Sequence, residues 1–342
     1  MAKRAFVLGA SGQLGSAIGE RLLKAGWDVT CGQRGEALPH LVRLGARTAR
    51  VDRSVPGVLK AALGESTDVL IDAVAFDRQH AEQLLELQES VGQFIVISSA
   101  SVYKDAAGRT LDEAATIEDL PEMPIPIHET QHTVDPGEET YSTRKVALER
   151  KLLDESRLPV SVIRPCAIHG RHSKHPREWW FVKRRCDGRR RVPLAGETGV
   201  FQTSAAHNVA EVVAVAIETR FHGVLNAGDP SAPSIREIGT IVARALDWEF
   251  AFVAVPLDGE HHVGYTPWSG LHPFVLGMDA ATRLGYHPAT TYAEYAPDVC
   301  RWLVEAARDR DWREIFPVLR AYPELFDYAA EDAFFASLAP RR

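Results

Sequence analysis

The chain has 342 residues, with 46 acidic against 39 basic side chains and a formal net charge of −7, so nothing in its bulk charge attracts nucleic acid or an anionic membrane. Its 45% hydrophobic and 25% charged content is that of a globular protein large enough for a substantial core and a smaller lobe. Four scattered cysteines without a CxxC pair, no secretory pattern after Lys3 and Arg4, and no apolar run of bilayer length predict a cytoplasmic protein without membrane or nucleic-acid partners.

Taken in chain order, Ala5–Leu8, Asp28–Cys31, Ala46–Val51, Asp68–Val74 and Gln93–Ser98 read as strands. The helix-period segments Leu14–Ala25, Ala37–Leu44, Val55–Leu63 and Gln79–Val91 lie between them. Short apolar runs alternating with helices predict buried parallel strands and a Rossmann-type, doubly wound α/β sheet. The acidic stretch 104–139, with Pro121, Pro124, Pro126 and Pro136, shows no period and reads as a lid insertion. A helix over Tyr141–Ser156 and a strand over Val160–Arg164 follow. Residues 1–165 are thus mainly the cofactor domain, and 166–342 mainly a smaller C-terminal substrate lobe and tail, interleaved with the core. In that second half Ala210–Thr219 and Ile235–Leu246 read as helices, and Gly223–Asn226 and Phe250–Val255 as strands. The aromatic tail from Trp312 is expected to pack on the body or on another subunit.

Directly after the first strand comes Gly9-Ala10-Ser11-Gly12-Gln13-Leu14-Gly15. Glycines there allow a tight turn and a close backbone approach to a pyrophosphate, with the next helix aiming its positive end at the same anion. The second strand ends at Gln33 and Arg34, where a ribose-binding acid is usual. A missing carboxylate and an added cation favour NADP(H), with NAD(H) as the other option. Asp52, ending the third strand, is placed at the adenine or as a helix cap before Val55. Ala75, just beyond the fourth strand, joins the cofactor-binding set.

Tyr141 and Lys145 share one helix face in a YxxxK pattern, so an ammonium can lower the pKa of a phenol that passes a proton to a C–OH or C=O group. The serines of Ser98-Ser99-Ala100-Ser101, at the carboxyl edge of the fifth strand, can donate to the same oxygen. His169, His172 and His175 lack a compact ligand spacing, and no metal is expected; they read as a polar rim. The basic run Lys183, Arg184, Arg185, Arg189, Arg190 and Arg191 reads equally as a grip for an anionic substrate or as solvated charge.

With GASGQLG, SSASVY, YSTRK, VIRP and the Asn208-Val209-Ala210 segment, the chain resembles the extended short-chain dehydrogenase/reductase family, the NAD-dependent epimerase/dehydratase group, over about residues 3 to 300. The resemblance implies Ser99 as the catalytic hydroxyl, with Ser101 second, and Tyr141 and Lys145 as acid/base and helper. It implies Lys145 on the nicotinamide ribose, Pro165 as the wall beside the nicotinamide, and a homodimer. Three departures stand out. Ala100-Ser101 replaces the acid pair of dehydratases, no arginine occurs in Gly199–Thr203 where nucleotide-sugar enzymes hold a diphosphate, and the lid is enlarged over Glu118–Glu139. The reading is an NAD(P)-dependent oxidoreductase interconverting a secondary alcohol and a ketone on a polar small molecule, anionic if the basic run grips it. The alternatives are a nucleotide-sugar epimerase with tightly bound NAD, and a non-catalytic nucleotide sensor.

Overall fold

The computed structural model describes residues 2–257 and 262–338. Its strands are β1 (Arg4–Leu8), β2 (Asp28–Gln33), β3 (Arg47–Arg50), β4 (Val69–Asp72), β5 (Phe94–Ile97) and β6 (Val160–Pro165), then β7 (Ala167–His169), β8 (Arg191–Ala195), β9 (Thr203–Ala205), β10 (Gly223–Ala227) and β11 (Ala251–Val255). Seven of them form one parallel sheet in the order β10-β6-β5-β4-β1-β2-β3. The chain starts at the centre, winds outward to β3, and returns on the other side at β4. The order therefore reverses between β1 and β4, where a crevice opens beyond the strand ends. This is the doubly wound sheet that the alternation predicts.

Helices α1 (Gln13–Lys24), α2 (Pro39–Arg43), α3 (Val58–Leu63), α4 (Arg78–Leu85), α5 (Tyr141–Glu155), α6 (Trp179–Cys186) and α7 (Ala206–Glu218) are joined by α8 (Ile235–Ala245), α9 (Asp279–Arg283), α10 (Tyr292–Ala306), α11 (Trp312–Ile315) and α12 (Tyr328–Ser337). Leu14, Ile18 and Leu22 of α1 pack with Val209, Val213 and Ile217 of α7 on one sheet face. Leu59 of α3, Leu84 of α4 and Leu148 and Leu152 of α5 cover the other. Covering both faces is what makes β4 and β5 wholly apolar toward the core, apart from Asp72. Helix α7 and strand β10 complete the sheet from within the second half of the chain.

The second lobe has its own core, in which Trp179, Trp180 and Phe181 of α6 meet Tyr292 and Val299 of α10 and Trp312 and Phe316 of the tail. Parallel pairs β8–β11 and β7–β9 frame it. The sequence pattern leaves β7, β9 and α10 unassigned: the strands have three residues each, and Pro297 interrupts the α10 pattern. Helix α10 forms nevertheless, started by a capping box between Thr291 and Glu294.

The basic run turns out to hold the tail. Arg184 places its guanidinium carbon 3.4 Å from the centre of the Trp180 ring, donates to the carbonyls of Trp180 and Leu325, and forms a buried pair with Glu331 of α12. Arg189 reaches Glu331 and Asp332, Arg190 lies over Trp248, and Arg191 over Phe335. For Arg184 and Arg189 neither the substrate grip nor free solvation holds, because α12 supplies acids opposite them, while Arg190 and Arg191 stay exposed over rings. The aromatic tail packs on the body.

Candidate active site

At the end of β1 the backbone turns through Gly9, whose φ is +86° and whose N–H donates to the carbonyl of Gly32 across the sheet. A Cβ at Gly15 would stand 2.3 Å from the Gly9 carbonyl oxygen, so only glycine lets α1 start this close to the loop. Gly12 caps α1 without a side-chain bond, which leaves the first-turn N–H groups pointing outward for an anion. Leu14, 7% exposed, belongs to the core and can offer only its backbone.

A cleft of about 740 Å³ opens here, floored by Gly9, Ser11, Gly12 and Gln13 and walled by Gln33, Arg34 and Asp52. Gln33 is 5% exposed and its Oε1 has no partner among the described residues. An acceptor of that kind, buried at a cleft edge, suits a ligand hydroxyl. Asp52 does not cap α3, whose N-cap is Gly57. Its carboxylate instead accepts from the Ser54 hydroxyl and N–H, bonds that hold it below the usual range with Arg34 and Arg50 adding to the effect.

Ser99, Tyr141 and Lys145 gather beyond the ends of β4 and β5. Thr140 caps α5 through a reciprocal bond with Thr143, which sets Tyr141 at the first helical position. Desolvation raises the pKa of the Tyr141 phenol. The Ser99 hydroxyl stands close enough to bond it and pulls the other way, while the charge of Asp112 adds to the rise. Tyr141 remains 41% exposed, so entering water works against the increase. Its ring packs on Phe76, and the Lys145 ammonium lies 5.5 Å from the ring centre.

Lys145 is buried, and two of its three N–H groups donate to the carbonyls of Ala75 (2.5 Å) and Ile97 (3.0 Å). Burial pushes its pKa down to about 8, against the opposing charges of Asp72 and Glu149. Ala75 thus positions the lysine through its carbonyl while its own side chain is buried. Pro165 ends β6 in register with Ala227. The other hydroxyl, Ser101, is bonded by Ser142 at 3.0 Å, and Ser142 in turn donates to Asp112. Of the two serines, the structure faces Ser99 toward the phenol.

Several residues at the site carry no signal in the sequence. Arg53 lines the cleft and pairs at 2.7 Å with Asp72, which is fully buried. Asp112 ties the 104–139 segment to the start of α5 by accepting from both the N–H and the hydroxyl of Ser142. Lys174 reaches the cleft from the second lobe, and so does His172 of the expected histidine rim. The histidines do not form a common rim. His169 is buried and bonds Asp229 at 2.8 Å, while His175 stacks on Tyr322. Among the described residues no group of three or more His, Cys, Asp or Glu side chains is placed to hold a metal, and no helix is long and apolar enough to cross a membrane.

Residues 5–224, well over half of the chain, match the pattern of the NAD dependent epimerase/dehydratase family. The chain belongs to that family. Solved structures place the fold among the same enzymes. A UDP-N-acetylglucosamine 4-epimerase from Bacillus cereus matches with a TM-score of 0.68 at 16% identity, covering 88% of this chain and 99% of its own. A dTDP-glucose 4,6-dehydratase from Bacillus anthracis, in complex with NAD, gives 0.65 at 15% identity, covering 92% and 100%. A UDP-glucose 4-epimerase from Thermus thermophilus, also with NAD, gives 0.63 at 20%, covering 87% and 98%. At these identities the likeness establishes the fold. A search among curated proteins finds no match.

Proposed function

We propose that this member of the family is an NAD(P)-dependent oxidoreductase that interconverts a secondary alcohol and a ketone on a polar small molecule. The observation that carries the reading is the convergence of the Ser99 hydroxyl, the Tyr141 phenol and the Lys145 ammonium at the sheet edge beside the glycine loop. The residues present fit a dinucleotide: a glycine cradle that a Cβ would fill, an uncapped helix start, and the unpartnered Gln33 acceptor. Gly9, Ser11, Gly12, Gln13, Leu14 and Gly15 would hold its pyrophosphate, Gln33, Arg34 and Asp52 its adenosine end, and Ala75, Lys145 and Pro165 its nicotinamide end. When bound, the cofactor supplies a hydride donor or acceptor.

Tyr141 holds the proton that reaches or leaves the substrate oxygen, and its raised pKa keeps the phenol protonated at neutral pH, the state that reduction needs. Ser99 donates to the same oxygen as negative charge grows there. Lys145 keeps a positive charge next to the phenol and retains one N–H for a ribose hydroxyl. Arg34 beside the cleft, with Gln33 in place of an acid, supports NADP(H) over NAD(H).

Calorimetry with purified protein tests this reading. NADP(H) should bind more tightly than NAD(H), and Arg34→Ala should weaken only the phosphorylated form, by about tenfold. Equal loss for both forms would refute the assignment of Arg34 to the 2′-phosphate. The epimerase reading is favoured by the names of the structures above. NAD retained through purification, with no net change in nicotinamide absorbance during turnover, would select it.

A further inference from the structure

One buried charge pair beside the catalytic trio has no part in the steps above. Glu149 stands one turn beyond Lys145 and two beyond Tyr141 on α5, so the three side chains share a helix face. It is 1% exposed, and its carboxylate accepts from the Ser98 hydroxyl and from two nitrogens of Arg164, Nε at 3.0 Å and Nη2. Arg164 is itself buried and lies over the Tyr103 ring at 4.9 Å, while the Tyr103 hydroxyl donates to Asn226 at 2.7 Å. The guanidinium is thus held between a carboxylate and an anchored ring.

What these bonds hold is the site itself. Ser98 sits between Ile97, whose carbonyl accepts from the Lys145 ammonium at 3.0 Å, and Ser99, whose hydroxyl faces the phenol. The sheet grips this strand end only as far as Ser98. Asp72 and Val96 form the last pair toward β4, and toward β6 the Ser98 N–H closes the ladder on the Ile163 carbonyl. Arg164 in turn directly precedes Pro165 at the end of β6. A buried ion pair stabilises a fold little compared with apolar side chains of the same volume; what a satisfied network of this kind gives is fixed geometry. We propose that Glu149 is the positioning residue of this site: its carboxylate clamps the end of β5, with Ile97 and Ser99, and the end of β6, with Pro165, against the helix face that carries Tyr141 and Lys145. The inference rests on the oxidoreductase reading above. The charge of Glu149 also supports the lysine, acting with Asp72 and Asp77 against burial and Arg53.

The test needs no substrate. NADPH, or NADH if that form binds more tightly, is titrated by calorimetry beside its fragment, 2′,5′-ADP or ADP, which shares the adenosine end and lacks the nicotinamide ribose. Lys145→Met sets the loss expected when the ribose contact is missing. Ser98→Ala leaves the ion pair in place and should weaken the cofactor by about three- to tenfold with the fragment unchanged. Glu149→Gln should weaken the cofactor at least as much. In the parent, cofactor affinity relative to the fragment should fall as pH rises through about 8, where the Lys145 charge is lost. Glu149→Gln removes a negative charge beside that ammonium, so the midpoint should move to lower pH. A pocket that had merely loosened and taken up water would move it upward, toward the ordinary lysine value. Cofactor affinity unchanged in Ser98→Ala, equal loss for cofactor and fragment, a parent-like Lys145→Met, or a midpoint that rises or stays in Glu149→Gln would each overturn the proposal. Should Glu149→Gln not fold, Ser98→Ala with the fragment comparison decides alone. If the parent binds neither cofactor nor fragment, the oxidoreductase reading falls together with this one; if parent and variants bind both alike, only this one falls.

Discussion

A single contact separates the two serines that the sequence offers: Ser142 holds Ser101, while Ser99 faces the phenol. Ser99→Ala should therefore lower kcat by about 10²–10³, and Ser101→Ala by far less, in a steady-state assay once a substrate is found. Tyr141→Phe should lose about 10²–10⁴ in turnover with cofactor affinity intact; loss of cofactor binding instead would make Tyr141 a structural residue. The pH profile follows from Lys145. Its ordinary pKa of 10.5 is pushed down to about 8 by burial, so its charge is present below that pH and is lost as pH rises through it. In the reduction direction kcat/KM should fall above about pH 8. A profile flat to about pH 10 would show that the lysine charge does not support the phenol. Gly15→Ala would force a Cβ to within 2.3 Å of the Gly9 carbonyl, which should cost about 1–3 kcal/mol in urea unfolding and abolish cofactor binding.

At the scale of elements, residues 104–139 form no helix or strand, yet the segment is tied down. Burial would raise the pKa of Asp105, but bonds from the N–H groups of Glu122 and Arg109 and from the Arg109 side chain outweigh it and hold the carboxyl low. A second anchor is apolar, with Met123 and Ile127 packed on Tyr103, Phe274 and Leu276. Asp105→Ala removes the shared acceptor of the Ala107, Arg109 and Glu122 N–H groups, so trypsin should cut within 104–139 faster while the Rossmann helices keep their hydrogen-exchange protection. Unchanged proteolysis would show that the apolar anchor alone suffices. The sequence made α5 legible through the pattern over Tyr141–Ser156, and made β1 with its glycines legible as a unit. The folding of residues 104–139 was not legible, because their contacts reach residues far along the chain, such as Phe274 and Leu276.

On the scale of the whole molecule, the tail closes the second lobe through one buried ion pair. Arg184 and Glu331 are 1% and 4% exposed on their side chains. Glu331→Ala would leave the guanidinium uncompensated and should cost about 3–5 kcal/mol, measured by urea unfolding together with release of the tail to proteolysis. A loss below about 1 kcal/mol would mean that water replaces the carboxylate and that the tail is held by its rings alone. Sequence reading places the aromatic tail on the body or on another subunit, and leaves the basic run between substrate grip and solvation. Neither choice can be made from local pattern, since the acid partners of Arg184 and Arg189 lie in α12, at the far end of the described chain.

By itself the sequence determined the sheet, the glycine loop, the tyrosine–lysine helix face and the family, because each depends on periodicity or on spacing within one turn or one βα unit. The tertiary structure alone decided which serine meets the phenol, where the lysine ammonium rests, and how the 104–139 segment is anchored. Those outcomes depend on side chains brought together across the fold, and on which charges find partners first.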